Sequence, residues 1–134
     1  MNFDELLGAV GLASMSVRPG DTSVAMGIND LSTVSSTAIL NAIESACSAA
    51  VIDLLEISET TQTAKIRMEI LTTVSTGEEI VANARCIEVE GDLFTFECSV
   101  MHLERTIATA LLQRRLVDRV SYMARIAAER IASN

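Results

Sequence analysis

The fold of this chain is decided by residues 36–52, which read STAILNAIESACSAAVI. Nearly all of these residues are small or aliphatic, and the segment predicts one helix that runs to about Leu55. The hydroxyl residues Ser35, Ser36 and Thr37 are each acceptable as its N-cap. Because a helix that is apolar on most of its circumference is usually enclosed by other structure, we expect this helix to form the centre of the fold.

Glu44 is the only charged residue within this segment. A carboxylate in an apolar setting costs several kcal/mol of desolvation unless it is paired, neutralised or used in function. One interpretation is a structural carboxylate, held by an arginine or a backbone amide in a subunit interface or a partly hydrated pocket. The other is a carboxylate that performs catalysis or orients a ligand, and the residues alone leave both open.

Alternating and aliphatic-rich patterns predict four strands after the helix. In the first of them, Ile66, Met68 and Ile70 fall on one face, and charged residues fall on the other. Tight turns separate it from three further segments rich in aliphatic residues. The four predicted strands comprise residues 61–73, 79–90, 93–101 and 106–117.

The remaining segments flank this core. Residues 1–11 have the apolar spacing of a short amphipathic helix, and residues 18–21 form a turn signal between two short strands. Asp118 is suited to cap a final helix that ends near Ile131. One apolar helix combined with a curved antiparallel sheet is an α+β layout, and we assign it to a single domain, residues 1–134.

The composition excludes several classes of function. The net charge is -8 and aromatic residues make up 3% of the chain, so nucleic acid, which needs clustered positive charge and stacking side chains, is not an expected partner. There is no uninterrupted apolar run of about 18 residues and no signal-peptide pattern, so we expect a cytoplasmic protein without membrane association. The dispersed residues Cys47, Cys86 and Cys98 predict buried free thiols and no metal site.

Three segments resemble the hotdog-fold thioesterases similar to fluoroacetyl-CoA thioesterase. They are residues 21–37, which lead into the helix through small hydroxyl residues, residues 43–47 around the helix carboxylate, and residues 107–118 in the last strand. The resemblance covers most of residues 20–130 and implies a hotdog fold, in which a curved antiparallel sheet wraps around a long central helix. It also implies a homodimer or a dimer of dimers that acts on acyl-CoA or a similar thioester without a cofactor.

The resemblance also implies roles for individual residues. Family members use a hydroxyl eight residues before the helix carboxylate, which here is Ser36, with Thr37 close enough to substitute. Glu44 would then act as a base or a nucleophile. A histidine completes the family's set, but Ile70 occupies its position, and the single histidine, His102, falls in a predicted hairpin turn.

Further residues are expected to contact the ligand. Arg114 matches the arginine of the family's last strand and would hold a CoA phosphate, whereas the adjacent Arg115 faces the other side of that strand. Met68 and Ile70 would line the pocket for the acyl group.

Three functions therefore remain open. The first is a thioester hydrolase in which the N-terminus of the helix polarises the thioester carbonyl. The second, favoured by Ile70, is a binding module that retains acyl-CoA or another small apolar ligand without hydrolysing it. The third is an interaction protein in which Glu44 serves only assembly.

Overall fold

A computed structural model describes residues 1–133, and its elements follow the predicted order. One helix precedes four consecutive strands, with a strand before the helix and a second helix after the last strand. The strands are β1 (Val10–Ser16), β2 (Glu59–Ile70), β3 (Glu79–Glu90), β4 (Leu93–His102) and β5 (Arg105–Asp118), and the helices are α1 (Ser36–Val51) and α2 (Arg119–Ala132).

The five strands form one antiparallel sheet in the order β1-β3-β4-β5-β2. Strands β3, β4 and β5 are joined by hairpins, whereas β2 lies beside β5 at one edge of the sheet. The pairing register shifts within three of the four strand pairs. Such bulges bend a strand and increase its twist, and the sheet accordingly curls around α1.

The concave face of the sheet holds the apolar side of α1. This side consists of small and aliphatic residues, which are Ala38, Ile39, Ala42, Ile43, Ala46, Cys47, Ala50 and Val51. The closest approach is at Gly11 of β1, where an added Cβ atom would lie 2.0 Å from the carbonyl oxygen of Ala46 and 2.4 Å from the amide nitrogen of Ala50. Glycine and alanine thus allow the backbones of strand and helix to meet directly.

The opposite side of α1 is polar, so the sheet encloses the helix on one side only. Asn41 and Ser45 are exposed, and Glu44 and Ser48 are partly buried. These four residues recur at intervals of three and four, which places them on one face of a helix. By length and composition Ser36–Leu54 would also pass as a membrane span, but in this structure its apolar side forms the protein core.

The N-terminal segment is not the predicted amphipathic helix. It contains the 3-10 turn Phe3–Glu5, after which Gly8, with a φ of 86°, directs the chain into β1. The Gly8 amide donates a hydrogen bond to the Cys86 carbonyl at 2.8 Å. Pairing with the sheet prevails because an isolated helix of this length is marginal in water.

Two other boundaries also depend on local chemistry. The short strand predicted after residues 18–21 is reduced to an isolated bridge between Thr22 and Val34. The prediction that Asp118 caps the last helix is confirmed, since its carboxylate accepts a hydrogen bond from the Ser121 amide at 3.0 Å. Hydrogen bonds at the N-terminus of α2 hold the pKa of Asp118 below its usual value.

Candidate functional site

Glu44 lies in the middle of α1, at the edge of the helix that faces β2. The hydroxyl of Thr63 donates a hydrogen bond of 2.7 Å to Glu44 Oε1. A hydrogen bond to a charged acceptor is shorter and stronger than one between neutral groups. Among residues 1–133, Oε2 of Glu44 has no hydrogen-bond partner, so one oxygen of the carboxylate is held and the other is available.

Arg114 lies behind this pair and is only 9% exposed. It stands directly opposite Thr63 in the register between β5 and β2. Its Nε atom donates to Thr61 Oγ1 at 2.7 Å, and its terminal nitrogens donate to the Thr61 carbonyl at 2.9 Å and to Thr63 Oγ1 at 3.2 Å. A guanidinium has five N–H donors, so these three bonds leave two N–H groups for other partners.

The three side chains form one chain of hydrogen bonds from Arg114 through Thr63 to Glu44. Within the described part of the protein, the guanidinium makes no direct ion pair with the carboxylate, because the Thr63 hydroxyl lies between them. A register shift after Thr63 accompanies this arrangement, and a bulge is a common means of re-aiming a side chain beside a functional site.

This chain of hydrogen bonds opens onto a cleft of about 560 Å³ between α1 and β2. Every residue that lines the cleft is polar, and the set comprises Asn41, Glu44, Ser45, Ser48, Gln62, Thr63 and Arg114. Glu44 and Arg114, which sequence analysis selected, are therefore brought together. The cleft is therefore a polar site rather than a long apolar channel.

Ser36 and Thr37 lie outside this cleft, in the exposed first turn of α1. The N-cap is Ser35, whose buried hydroxyl accepts a hydrogen bond from the Ala38 amide at 3.0 Å. The hydroxyls of Ser36 and Thr37 are therefore not consumed by capping. Eight residues of helix separate Ser36 from Glu44 by roughly 12 Å along the axis, so the two residues do not touch one reacting atom directly.

Met68 and Ile70 occupy the concave face of β2, as their alternation predicted. They stand opposite Ala110 and Ala108 in the register with β5, and Ile70 is 42% exposed. Ile70 ends β2 near the N-terminus of α1, because the chain just beyond it is bonded to Val34. Ile70 and Ser36 therefore lie towards the N-terminus of α1, outside the cleft that Glu44 lines.

The histidine and the second arginine are engaged elsewhere. His102 ends β4, with Nδ1 3.0 Å from the Glu79 carbonyl and Nε2 3.4 Å from the Glu78 carboxylate. Arg115 is exposed and contacts Asp92 at 3.1 Å, on the face opposite Arg114. Neither residue lines the cleft beside Glu44.

Thr61 and Thr63, which organise the site through their bonds to Arg114 and Glu44, are not among the residues predicted from the sequence. Threonine is common in strands, so Thr61 and Thr63 were interpreted only as the start of the strand predicted over residues 61–73. The available signal was the alternation of two hydroxyls, which places both on the face that carries Arg114 in the neighbouring strand.

The buried thiols match the prediction. Cys47, Cys86 and Cys98 are all free and buried. The Sγ atoms of Cys47 and Cys98 lie 3.6 Å apart between α1 and β4. Hydrogen bonding to Cys98 and burial both raise the pKa of the Cys47 thiol.

The sequence of this chain matches a known protein family. Residues 17–120 match the model of the fluoroacetyl-CoA-specific thioesterase family. The chain belongs to that family. The match begins just after β1 and extends to the first turn of α2, so it includes Glu44, Thr63 and Arg114. A search of curated proteins found no match.

Solved structures of the family and its relatives share the fold. The fluoroacetyl-CoA thioesterase superposes with a TM-score of 0.84 at 16% identity, covering 91% of this chain and 95% of the other. A thioesterase superfamily member from Thermus thermophilus gives 0.82 at 16% identity, with 96% of both chains covered. A hot-dog-like protein from Thermanaerovibrio acidaminovorans gives 0.84 at 17% identity, with 96% and 97% covered. The predicted hotdog fold and family resemblance are confirmed.

Proposed function

We propose that this protein hydrolyses a small acyl-CoA-type thioester and that Glu44 activates the attacking water. The observation that carries the proposal is the state of the Glu44 carboxylate, which is fixed through Oε1 and open through Oε2. Membership of a thioesterase family supports the reaction class. A general base must lie within hydrogen-bond reach of the proton it takes, and an oxygen facing a polar cleft satisfies that condition.

In this mechanism Oε2 of Glu44 accepts a proton from water as the water oxygen bonds to the thioester carbon. The carbonyl electron pair moves to oxygen and then returns as the carbon–sulfur bond breaks. The leaving thiolate takes the proton from Glu44, which yields a carboxylic acid and free CoA thiol. Direct attack by the carboxylate is the alternative route, and it forms an anhydride that water then cleaves.

The other predicted residues have separate places in this scheme. Ser36 and Thr37 lie at the helix N-terminus, where backbone N–H groups favour an anionic group. Because Ser36 is roughly 12 Å from Glu44 along the helix axis, these residues would contact a part of the substrate other than the carbonyl that the water attacks. Arg114 has two N–H groups left for an oxygen of the substrate, and its burial favours this contact over one with the CoA phosphates. Met68 and Ile70 would contact the acyl group.

Release of free thiol from a panel of acyl-CoAs tests the proposal. The wild type should hydrolyse short acyl-CoAs above background, and Glu44→Gln should reduce kcat by about 10²–10⁴-fold, the range of general base catalysis. Glu69→Gln is the matched control, because Glu69 is exposed on the convex face of β2. No hydrolysis by the wild type, or equal rates for wild type and Glu44→Gln, would overturn it.

A binding module without catalysis is the second candidate, and Ile70 supports it. The family histidine would supply general acid–base assistance, but Ile70 has no proton to transfer. This candidate predicts that acyl-CoAs raise the melting temperature while no thiol is released.

Assembly is a further part of the proposal. One long side of β2 has no strand partner among the described residues, and such an edge is a template for pairing with another chain. We propose that the protein forms a homodimer, or a dimer of dimers, in the cytoplasm. If Glu44 served assembly alone, Glu44→Ala would change the oligomeric state measured by light scattering.

A further inference from the structure

We propose that Thr63 is a positioning residue that sets the orientation of the Glu44 carboxylate and transmits to it the constraint imposed by Arg114. The inference rests on the proposed hydrolytic role of Glu44 and identifies the residue on which that role depends. The Thr63 hydroxyl contacts both partners, at 2.7 Å and 3.2 Å.

The donor chemistry of the three groups fixes the direction of the chain. A guanidinium only donates hydrogen bonds, and an ionised carboxylate only accepts them. A threonine hydroxyl has one proton and two acceptor lone pairs. Because Arg114 must donate to Thr63 Oγ1, the single Thr63 proton is directed to Glu44 Oε1. Alternative orientations of the hydroxyl would leave one of its neighbours without a partner.

The supports of Thr63 are rigid. Arg114 is held from its other side by the Thr61 hydroxyl at 2.7 Å and the Thr61 carbonyl at 2.9 Å, so the guanidinium cannot rotate freely. Threonine is branched at Cβ and has restricted χ1 freedom. The Glu44 carboxylate is therefore held through Oε1, which leaves Oε2 without a protein partner at the cleft that Glu44 lines. A general base must meet its water in a defined geometry.

Ordinary strand packing is the competing explanation, and two substitutions separate it from positioning. Thr63→Val keeps the shape and strand preference of threonine but removes the hydroxyl. Thr63→Ser keeps the hydroxyl but removes the methyl group. If only packing mattered, valine would be tolerated and serine would be the worse of the two.

The kinetic experiment compares these variants on an acyl-CoA that the wild type hydrolyses. Thr63→Val should lower kcat by about 10–100-fold and leave KM within about threefold, since it affects a group that acts in the transition state. Thr63→Ser should stay within about fivefold of the wild-type kcat. Thr60→Val is the matched control, because Thr60 lies in β2 opposite Val117 and its side chain makes no hydrogen bond within residues 1–133.

A double-mutant cycle in protein stability tests the Thr63–Glu44 hydrogen bond without depending on catalytic activity. Unfolding in urea is measured for wild type, Thr63→Val, Glu44→Gln and the double variant. If Thr63 and Glu44 are hydrogen-bonded, the unfolding constant of the double variant should differ by about tenfold from the value expected when the two single effects are independent. This is a typical size for a hydrogen bond to a charged group. The same cycle in kcat should show that Thr63→Val has little further effect once Glu44 is glutamine.

The outcomes distinguish the two proposals. Absence of wild-type hydrolysis refutes the proposed function. The unfolding cycle then tests the Thr63–Glu44 hydrogen bond by itself. Coupling between the two substitutions supports that bond, and additive effects overturn it. If the wild type is active, an unchanged kcat in Thr63→Val overturns the positioning role. A loss in Thr63→Val that serine does not rescue also overturns it, because the hydroxyl would not be the cause.

Discussion

Replacing Gly11 by alanine should be the most disruptive single-methyl change in this protein. The new Cβ atom would lie 2.0 Å from the Ala46 carbonyl oxygen and 2.4 Å from the Ala50 nitrogen. Favourable contacts between heavy atoms require about 3.5–4.0 Å, so α1 must move away from β1 by roughly 1.5 Å. Backbone atoms in the middle of a helix cannot rotate aside, as a side chain could.

The expected cost follows from this displacement. Overpacking a core costs about 1–3 kcal/mol and occasionally more, and a clash with backbone places Gly11→Ala near 3 kcal/mol. That loss corresponds to a fall in Tm of about 10 °C for a chain of this size. Because α1 also carries Glu44, the same movement should disturb the geometry of the 2.7 Å hydrogen bond from Thr63 and reduce hydrolysis.

Urea unfolding with linear extrapolation measures this effect, with Gly20→Ala as the control. Nothing lies within 4 Å of a Cβ atom at Gly20, so that variant should stay within about 0.5 kcal/mol of the wild type. The reasoning would be refuted if Gly11→Ala were as stable as Gly20→Ala, since the close contact between β1 and α1 would then not exist in solution.

Three further predictions concern capping, thiol reactivity and pH. Ser35→Ala should cost about 1 kcal/mol in urea unfolding, because a buried helix N–H loses its acceptor; an unchanged midpoint would contradict the assigned cap. Native Cys47, with its pKa raised by Cys98 and burial, should resist iodoacetamide at pH 8 yet react in urea, and rapid native labelling would contradict this burial. The pKa of Asp118 is lowered in the fold, so its stabilising contribution is present above the unfolded pKa and is lost as pH falls through the folded value. The difference in stability between wild type and Asp118→Ala should therefore shrink between pH 6 and pH 3, and a difference that grew on acidification would contradict it.

The elements that sequence analysis identified best are those whose periodicity matches their environment. Strands β3 to β5 alternate between a buried and a solvated face, and the observed bounds differ from the predicted ones by one residue at most. Residues 1–11 failed because spacing alone does not distinguish a short helix from a turn followed by a strand. The pairing of that strand with β3 decides the outcome, and tertiary partners are invisible in a local pattern.

The central helix was interpreted as more apolar than it is. One face of α1 carries Asn41, Glu44, Ser45 and Ser48. Small hydroxyl residues have a hydrophobicity near neutral, so this polar face is not obvious in the sequence. Glu44 is therefore a member of a polar face rather than a charge enclosed by apolar residues. Its partner Thr63 could not be identified from one chain segment, because the contact depends on how β2 is placed beside α1.

The most direct test of this account compares kcat of Glu44→Gln with that of the wild type on the acyl-CoA that the wild type hydrolyses fastest. Urea unfolding establishes beforehand that both proteins are folded. We predict a loss of at least about 100-fold in Glu44→Gln, with Glu69→Gln unchanged. A folded Glu44→Gln variant that retains the wild-type kcat would contradict the claim that this carboxylate performs the chemistry.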